Sequence, residues 1–389
     1  MKILILEDES EKFKVISKEI LDFNADIKID HSLDRTNFIK KLEREVYDLI
    51  IIDLIVPTHP NSEPKDLSES IIYDLRDEEC PNAKTPVLAL TQFDAVAIDN
   101  FAELNSNNIN VITFSIEKEE WKKTLNQRLL DNSPAPKYDF IIICALPKEA
   151  NAYKELNLDY KESKSIQGLD CLEISIDNHV GVIITCPRMG LVDAAITSAM
   201  GLQIFKPKLV AMSGICAGIK DKAQIYDITI PELCYQHDSG KWTMDGFTPE
   251  QYSIQLDHAV KLKIKDLITK TDFVNSILNG IQAKRSEIPD DFEQINTRIQ
   301  LGTLSSGSAV IADEDFNSTI TKQHRRVAAF EMETYAVYES ARLADFKPIF
   351  FSAKAVVDNG TPAKNDDFHR IACLISAKTT IEIIKVLLA

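Results

Sequence analysis

The segment Asp131-Asn132-Ser133-Pro134-Ala135-Pro136-Lys137-Tyr138-Asp139-Phe140-Ile141-Ile142-Ile143-Cys144-Ala145-Leu146-Pro147-Lys148-Glu149 decides how this chain is built. Two prolines two residues apart, among small polar neighbours, can neither continue a helix nor pair in a sheet, so residues 131–137 read as a linker. A strand-like run, Phe140–Cys144, follows at once, and the helical stretch 148–156 then begins with an acid, Glu149. A chain that restarts in this way predicts two domains, 1–130 and 138–389. The length of 389 residues agrees, since roughly 100–200 residues make one domain.

Upstream of the linker, apolar runs at Lys2–Leu6, Ile27–Ile29, Leu49–Ile52, Val87–Leu90 and Val111–Phe114 alternate with helix-period stretches such as Lys12–Leu21 and Phe38–Glu45. Short buried strands alternating with helices predict a flavodoxin-like α/β domain, a parallel sheet with helices on both faces and a working edge at the carboxyl ends of the strands. Acids fall at those ends: Glu7-Asp8-Glu9 after the first run and Asp53 after the third, with Thr91 after the fourth. The first and third strands are neighbours in this topology, so Glu7, Asp8 and Asp53 are expected to converge. Crowded carboxylates need a hard dication such as Mg²⁺ to offset their repulsion, and a magnesium-bound aspartate is a phosphoryl acceptor.

Downstream, apolar runs at 140–144, 169–176, 180–186, 208–213, 225–230, 299–304 and 348–353 alternate with helical stretches at 191–205, 256–270, 332–344 and an amphipathic end, 368–388. A second α/β domain with a mixed sheet is expected. Four segments carry polar groups where apolar ones surround them: Ala145–Glu149, the small-residue loop Ser213-Gly214-Ile215-Cys216-Ala217-Gly218, Phe330-Glu331-Met332-Glu333, and Lys354-Ala355-Val356-Val357-Asp358-Asn359.

Composition narrows the function. The chain holds 44 Lys+Arg against 60 Asp+Glu, net −16. Residues 1–137 hold 17 against 27, and residues 138–389 hold the remaining 27 against 33. Neither half has the basic footprint of a nucleic-acid binder, and an acidic surface repels DNA and anionic lipid. No apolar run reaches the roughly 18–20 residues of a membrane helix, and the start MKILILEDES lacks the pattern of a signal peptide, so a cytoplasmic protein is expected. The seven cysteines, scattered and without a C-x-x-C pair, predict buried thiols rather than zinc ligands or disulfides.

The first ~130 residues resemble a response-regulator receiver domain through ILILEDE, LIIIDLIVP and PVLALT. The resemblance implies phosphotransfer from a histidine kinase to Asp53, with Mg²⁺ held by Glu7, Asp8 and Asp53 and the phosphoryl group contacted by Thr91. One departure is the lysine that the family carries at the end of strand five: here Phe114 or Ser115 occupies the place and Lys118 comes late.

Residues 138–389 resemble the nucleoside phosphorylase/nucleosidase superfamily, its adenine-specific nucleosidase branch in particular. The resemblance implies that Glu149 activates water, that Ser213 and Gly214 lie under base and sugar, and that Met332 packs on the ribose while Glu333 binds its hydroxyls. It also implies that Val310 lies against the adenine and that Asp358 protonates the purine N7. Val357 departs from the serine usual beside that aspartate. The residue types suit glycosidic cleavage: an oxocarbenium-like state needs an acid for the leaving base and a base for the attacking water. The loop Ala145–Lys148 lacks the Gly and Arg of the phosphorylase branch, which favours hydrolysis over phosphorolysis. Arg188, in the sharp Cys186-Pro187-Arg188-Met189-Gly190 turn, is a candidate ligand for a 5′ phosphate.

A receiver fused to a nucleosidase resembles the effector of the Detocs anti-phage system. This implies a phosphorelay-regulated enzyme acting on adenine nucleotides, above all ATP, and related nucleosidases imply a homo-oligomer. The alternatives are a receiver-regulated methylthioadenosine/S-adenosylhomocysteine-type nucleosidase, a purine nucleoside phosphorylase, and a non-catalytic nucleotide-sensing adaptor.

Overall fold

In the computed structural model the described residues are 1–92, 101–133, 136–361 and 366–389, with the side chains of 314–317 set aside. Pro134 and Ala135 of the expected linker lie outside them. The chain divides into two compact units, Met1–Pro134 and Ala135–Ala389.

In the first unit five parallel strands pair in the spatial order Lys28–Ser32, Lys2–Leu6, Leu49–Ile52, Val87–Thr91, Ile109–Thr113. This is the doubly wound order 2-1-3-4-5. Successive side chains of a strand face opposite sides, and the first strand divides accordingly. Ile3 and Ile5 pack with Ile16 and Ile20 of the helix Ser10–Phe23 and with Trp121 and Leu125 of Glu120–Asn132. Leu4 and Leu6 pack with Phe38 and Leu42 of Arg35–Arg44 and with Ile71 and Leu75 of Ser68–Arg76. Both faces of the sheet are therefore covered, which is why its strands read as unbroken apolar runs. A small antiparallel pair, Ile55–Pro57 with Pro64–Asp66, was not expected.

The second unit holds a mixed sheet in which Phe140–Cys144 pairs in parallel with both His179–Thr185 and Leu209–Gly218. Five strands close a ring. Leu209–Gly218 pairs with Ile349–Asp358, that strand with Ile228–Gln236, and the latter with Ile299–Ser306. Ile299–Ser306 then pairs with Val327–Glu331, which returns to Ala217 and Gly218. Closure leaves no open edge along these strands. It also brings the ends of Leu209–Gly218, Val327–Glu331 and Ile349–Asp358 together, and those ends carry the polar residues.

The sequence places most of these strands correctly but misses Tyr160–Ile166, Ser253–Gln255 and Val327–Glu331, the first polar and exposed, the other two only three and five residues long. The terminal helix His369–Leu388 is not amphipathic as expected. Residues 371 to 377 are buried without a break, so the helix runs through the core and has no solvated stripe there. Among the described residues, no helix is long and apolar enough to cross a membrane.

Candidate active site

A cavity of about 290 Å³ opens at the junction of the strand ends, lined by Glu149, Ile215, Phe330, Met332, Glu333, Val357 and Asp358, with Val310 and Met189 at its rim. Three acids far apart in sequence thus share one space.

Glu149 stands in the first turn of the short helix Pro147–Asn151 and is only 2% exposed. Its Oε2 accepts hydrogen bonds from the Ala145 and Leu146 amides at 2.8 and 2.9 Å, and its Oε1 accepts from the Ile215 amide at 2.9 Å. Burial pushes its carboxyl above the usual range, and the nearby Lys354 charge opposes that rise. Both lone pairs of Oε2 are engaged, whereas Oε1 keeps one that could accept a further proton donor. Gly214 makes the arrangement possible: a β-carbon there would lie 2.1 Å from Glu149 Oε1.

Glu333 precedes the helix Thr334–Leu343 and is 4% exposed. Its Oε1 accepts from the Gly190 amide at 2.9 Å, and Lys354 Nζ lies 3.4 Å from Oε2. Burial raises its carboxyl to about 7. Asp358 ends the strand Ile349–Asp358, half-buried, and accepts from the Gly360 amide at 2.6 Å. Asn359 donates to the Gly218 carbonyl.

Behind these groups lies a fully buried ammonium that the sequence reading missed. Lys354 is 0% exposed and sits 3.1 Å from Glu331 and 3.4 Å from Glu333. Glu331 is held by Ser306 Oγ at 2.5 Å, by the Glu333 and Thr334 amides and by Thr334 Oγ1. Its carboxyl is lowered overall, because Lys354 and these donors outweigh desolvation. Glu331 therefore serves as the anchor of the helix start, and Glu333, held by one amide and the more distant ammonium, is the more loosely held of the two acids. Removing a partner from a buried ion pair costs about 3–5 kcal/mol, so Lys354 is required for the acids to lie where they do. A lysine in an apolar run was the available signal.

Three expected substrate contacts stand outside the cavity lining. Ser213 and Gly214 are not among the lining residues; Ser213 Oγ pairs with Ser376 Oγ at 2.9 Å, since it faces the terminal helix, and Gly214 makes room for Glu149. Ile215, Cys216 and Ala217 line the cavity in their place. Arg188 is also absent from the lining: its side chain is 82% exposed, 3.5 Å from Asp193. The basic groups at the rim are instead Lys148 and His369, in hydrogen-bond contact with each other.

In the first unit, Glu7, Asp8 and Asp53 do stand at neighbouring strand ends, and Thr91 is buried at the end of the fourth. Among the described residues, however, no three such groups gather to hold a metal. The reason is Lys12, whose ammonium pairs with Glu7 at 2.8 Å and Asp53 at 2.5 Å. Glu7 and Asp53 are thereby both engaged by the one ammonium.

Residues 139–387 match the phosphorylase superfamily. The chain belongs to this superfamily. The phosphorylase-superfamily chain is 24% identical over 409 residues to the uncharacterized protein y4jS of Sinorhizobium fredii, with 98% of each covered, so that likeness runs through both units. It is 25% identical over 286 residues to the ATP nucleosidase Cap17 of Escherichia coli, covering 70% of this chain but only 55% of that relative. Among solved structures, a 5′-methylthioadenosine/S-adenosylhomocysteine nucleosidase from Colwellia psychrerythraea in complex with adenine superposes with a TM-score of 0.51 and 18% identity, covering 66% of this chain and 98% of that one.

A pH dependence follows for this superfamily site. A carboxyl that accepts hydrogen bonds from two ligand hydroxyls must be ionised, and Glu333 is the candidate. With its carboxyl near 7, it is mostly protonated below that pH, and Glu149, raised in the same direction, adds to the loss. kcat/KM should therefore fall as pH drops through about 7; a profile flat over roughly pH 6–8 would contradict the assignment, because kcat/KM reports groups of the free enzyme.

Proposed function

We propose that this protein hydrolyses the N-glycosidic bond of adenine nucleotides, ATP foremost, to adenine and ribose 5-triphosphate. The observation that supports the reading is the gathering of Glu149, Glu333 and Asp358 around one cavity. Asp358 gives a proton to N7 as the C1′–N9 bond breaks. Glu149 takes a proton from the water whose oxygen bonds to C1′. Glu333 accepts from the ribose hydroxyls and faces the cation that develops on the sugar. Water rather than phosphate is the acceptor, because the Ala145, Leu146 and Ile215 amides that would hold an anion there already bind the Glu149 carboxylate.

The choice of a nucleotide over a thioether rests on Lys148 and His369 at the rim, donors suited to a 5′ polyphosphate. The relative named ATP nucleosidase agrees. Regulation is proposed to run through the first unit as a receiver, with Asp53 phosphorylated by a histidine kinase or phosphotransfer partner and Mg²⁺ held by Glu7, Asp8 and Asp53, so that an ATP-depleting enzyme stays silent until an anti-phage signal arrives. Self-association is proposed on the exposed apolar residues Val192, Ile196 and Leu343 of the helices Leu191–Phe205 and Thr334–Leu343.

The test is free adenine released from ATP, AMP and methylthioadenosine, without added phosphate. ATP should be cleaved, and Lys148→Met should raise KM for ATP roughly tenfold while leaving that for methylthioadenosine unchanged, as loss of a charged hydrogen bond predicts. Adenine from methylthioadenosine alone would favour the salvage-type nucleosidase, and a strict need for phosphate would favour the phosphorylase.

A further inference from the structure

We propose that Lys12, on the first helix, is the counter-cation of the phosphoacceptor Asp53, taking the place of the lysine absent from the end of strand five. The inference rests on the receiver reading of the first unit.

The helix Ser10–Phe23 buries three residues on one stripe, Lys12, Ile16 and Ile20. A lysine on an apolar stripe, 1% exposed, breaks the pattern of the helix and persists only if its charge is matched. The match is Asp53 Oδ2 at 2.5 Å and Glu7 Oε2 at 2.8 Å. The other Asp53 oxygen, Oδ1, accepts from the Leu54 and Ile55 amides at 2.6 and 3.3 Å. Asp53 is thus gripped by two amides on one oxygen and an ammonium on the other.

Phe114, which follows the fifth strand Ile109–Thr113, explains why the cation comes from the helix. Phe114 is 4% exposed and packs on Trp121, and Lys12 Nζ lies 5.5 Å from its ring centroid. The aromatic ring fills the room at the strand end and offers its face to the ammonium. One positive charge thus still reaches the acid, from a different element.

The chemistry served is formation of an acyl phosphate. An Asp53 oxygen attacks the phosphorus of a phosphoryl donor, the bond from phosphorus to the leaving group breaks, and with acetyl phosphate the leaving group is acetate. Two negative charges then lie where one lay before, and the Lys12 ammonium is within reach of both the carboxyl and the new phosphoryl oxygens.

The full chain is incubated with acetyl phosphate and Mg²⁺, and the mass gain of one phosphoryl group is read by intact mass spectrometry, with circular dichroism as a check on folding. The wild type should be modified and Asp53→Asn should not. Lys12→Met should lower the rate of modification about 10²-fold, the loss typical of removing a donor from a transferring phosphoryl group. Lys12→Arg should retain part of it. Because Lys12→Met leaves Glu7 and Asp53 unpaired, the double variant Lys12→Met/Phe114→Lys returns the charge from the strand-five side and should restore modification. Full modification of Lys12→Met, or no recovery in a folded double variant, would overturn the role of Lys12 while leaving the receiver reading standing. A wild type modified neither by acetyl phosphate nor by a phosphohistidine donor would overturn the receiver reading itself.

Discussion

Asp358→Asn should lower the rate of adenine release by about 10²–10⁴-fold, the range for loss of one proton-transfer group. The substitution is close to isosteric, so the cavity wall at the end of Ile349–Asp358 stays in place. Adenine is a poor leaving group as an anion, so breaking C1′–N9 without a proton on N7 forces charge onto the ring. The asparagine amide can hydrogen-bond N7 but cannot give up a proton. KM should therefore change far less than kcat, a split that a folding defect would not produce. Chromatographic quantification of adenine against time, with ATP in excess, measures it. A variant retaining activity to within roughly tenfold would remove Asp358 from the acid role.

Gly214→Ala should be comparably damaging although residue 214 does not line the cavity. Its β-carbon would lie 2.1 Å from Glu149 Oε1 and 2.4 Å from Cδ. Atoms do not approach so closely, so the carboxylate must leave its seat and lose the 2.9 Å bond from the Ile215 amide. A misplacement of about 1 Å in a reacting group costs about 10²-fold in rate. The control is Gly168→Ala, in the turn between Tyr160–Ile166 and Leu169–Ile176, where φ is +85° and nothing lies within 4 Å of an added β-carbon. That change strains the backbone by about 1–2 kcal/mol, so it should lower the melting temperature yet leave kcat intact. Equal losses of activity in both variants would mean that Gly214 acts through stability alone.

Much of the architecture was legible because buried strands leave short apolar runs and two proline-rich residues interrupt them. Lys2–Leu6, Phe140–Cys144 and Leu191–Phe205 were read at their observed bounds. The site acids were legible for a related reason: Glu149, Glu333 and Asp358 each interrupt apolar surroundings at the end of an element. What escaped was pairing. Lys12 and Lys354 lie on apolar stretches, and a lysine there declares a need for a partner without naming it. Lys12 finds Asp53 41 residues away, and Glu333 finds the Gly190 amide 143 residues away. Ser213 and Arg188 stand away from the cavity lining, against the terminal helix and in solvent, because a polar residue near a turn looks the same in sequence whether it faces a cavity, a helix or solvent.

By itself the sequence determined the alternation of strands and helices on either side of residues 131–137 and the presence of acids at the ends of apolar elements, because these depend on local spacing and local polarity. The tertiary structure alone decided that Glu149, Glu333 and Asp358 share a cavity, that Glu331 is spent on Lys354 and the start of a helix, and that Lys12 neutralises Asp53. A buried charge takes whichever opposite charge the closed sheet brings within hydrogen-bond distance, and that distance is a property of the chain's path through space.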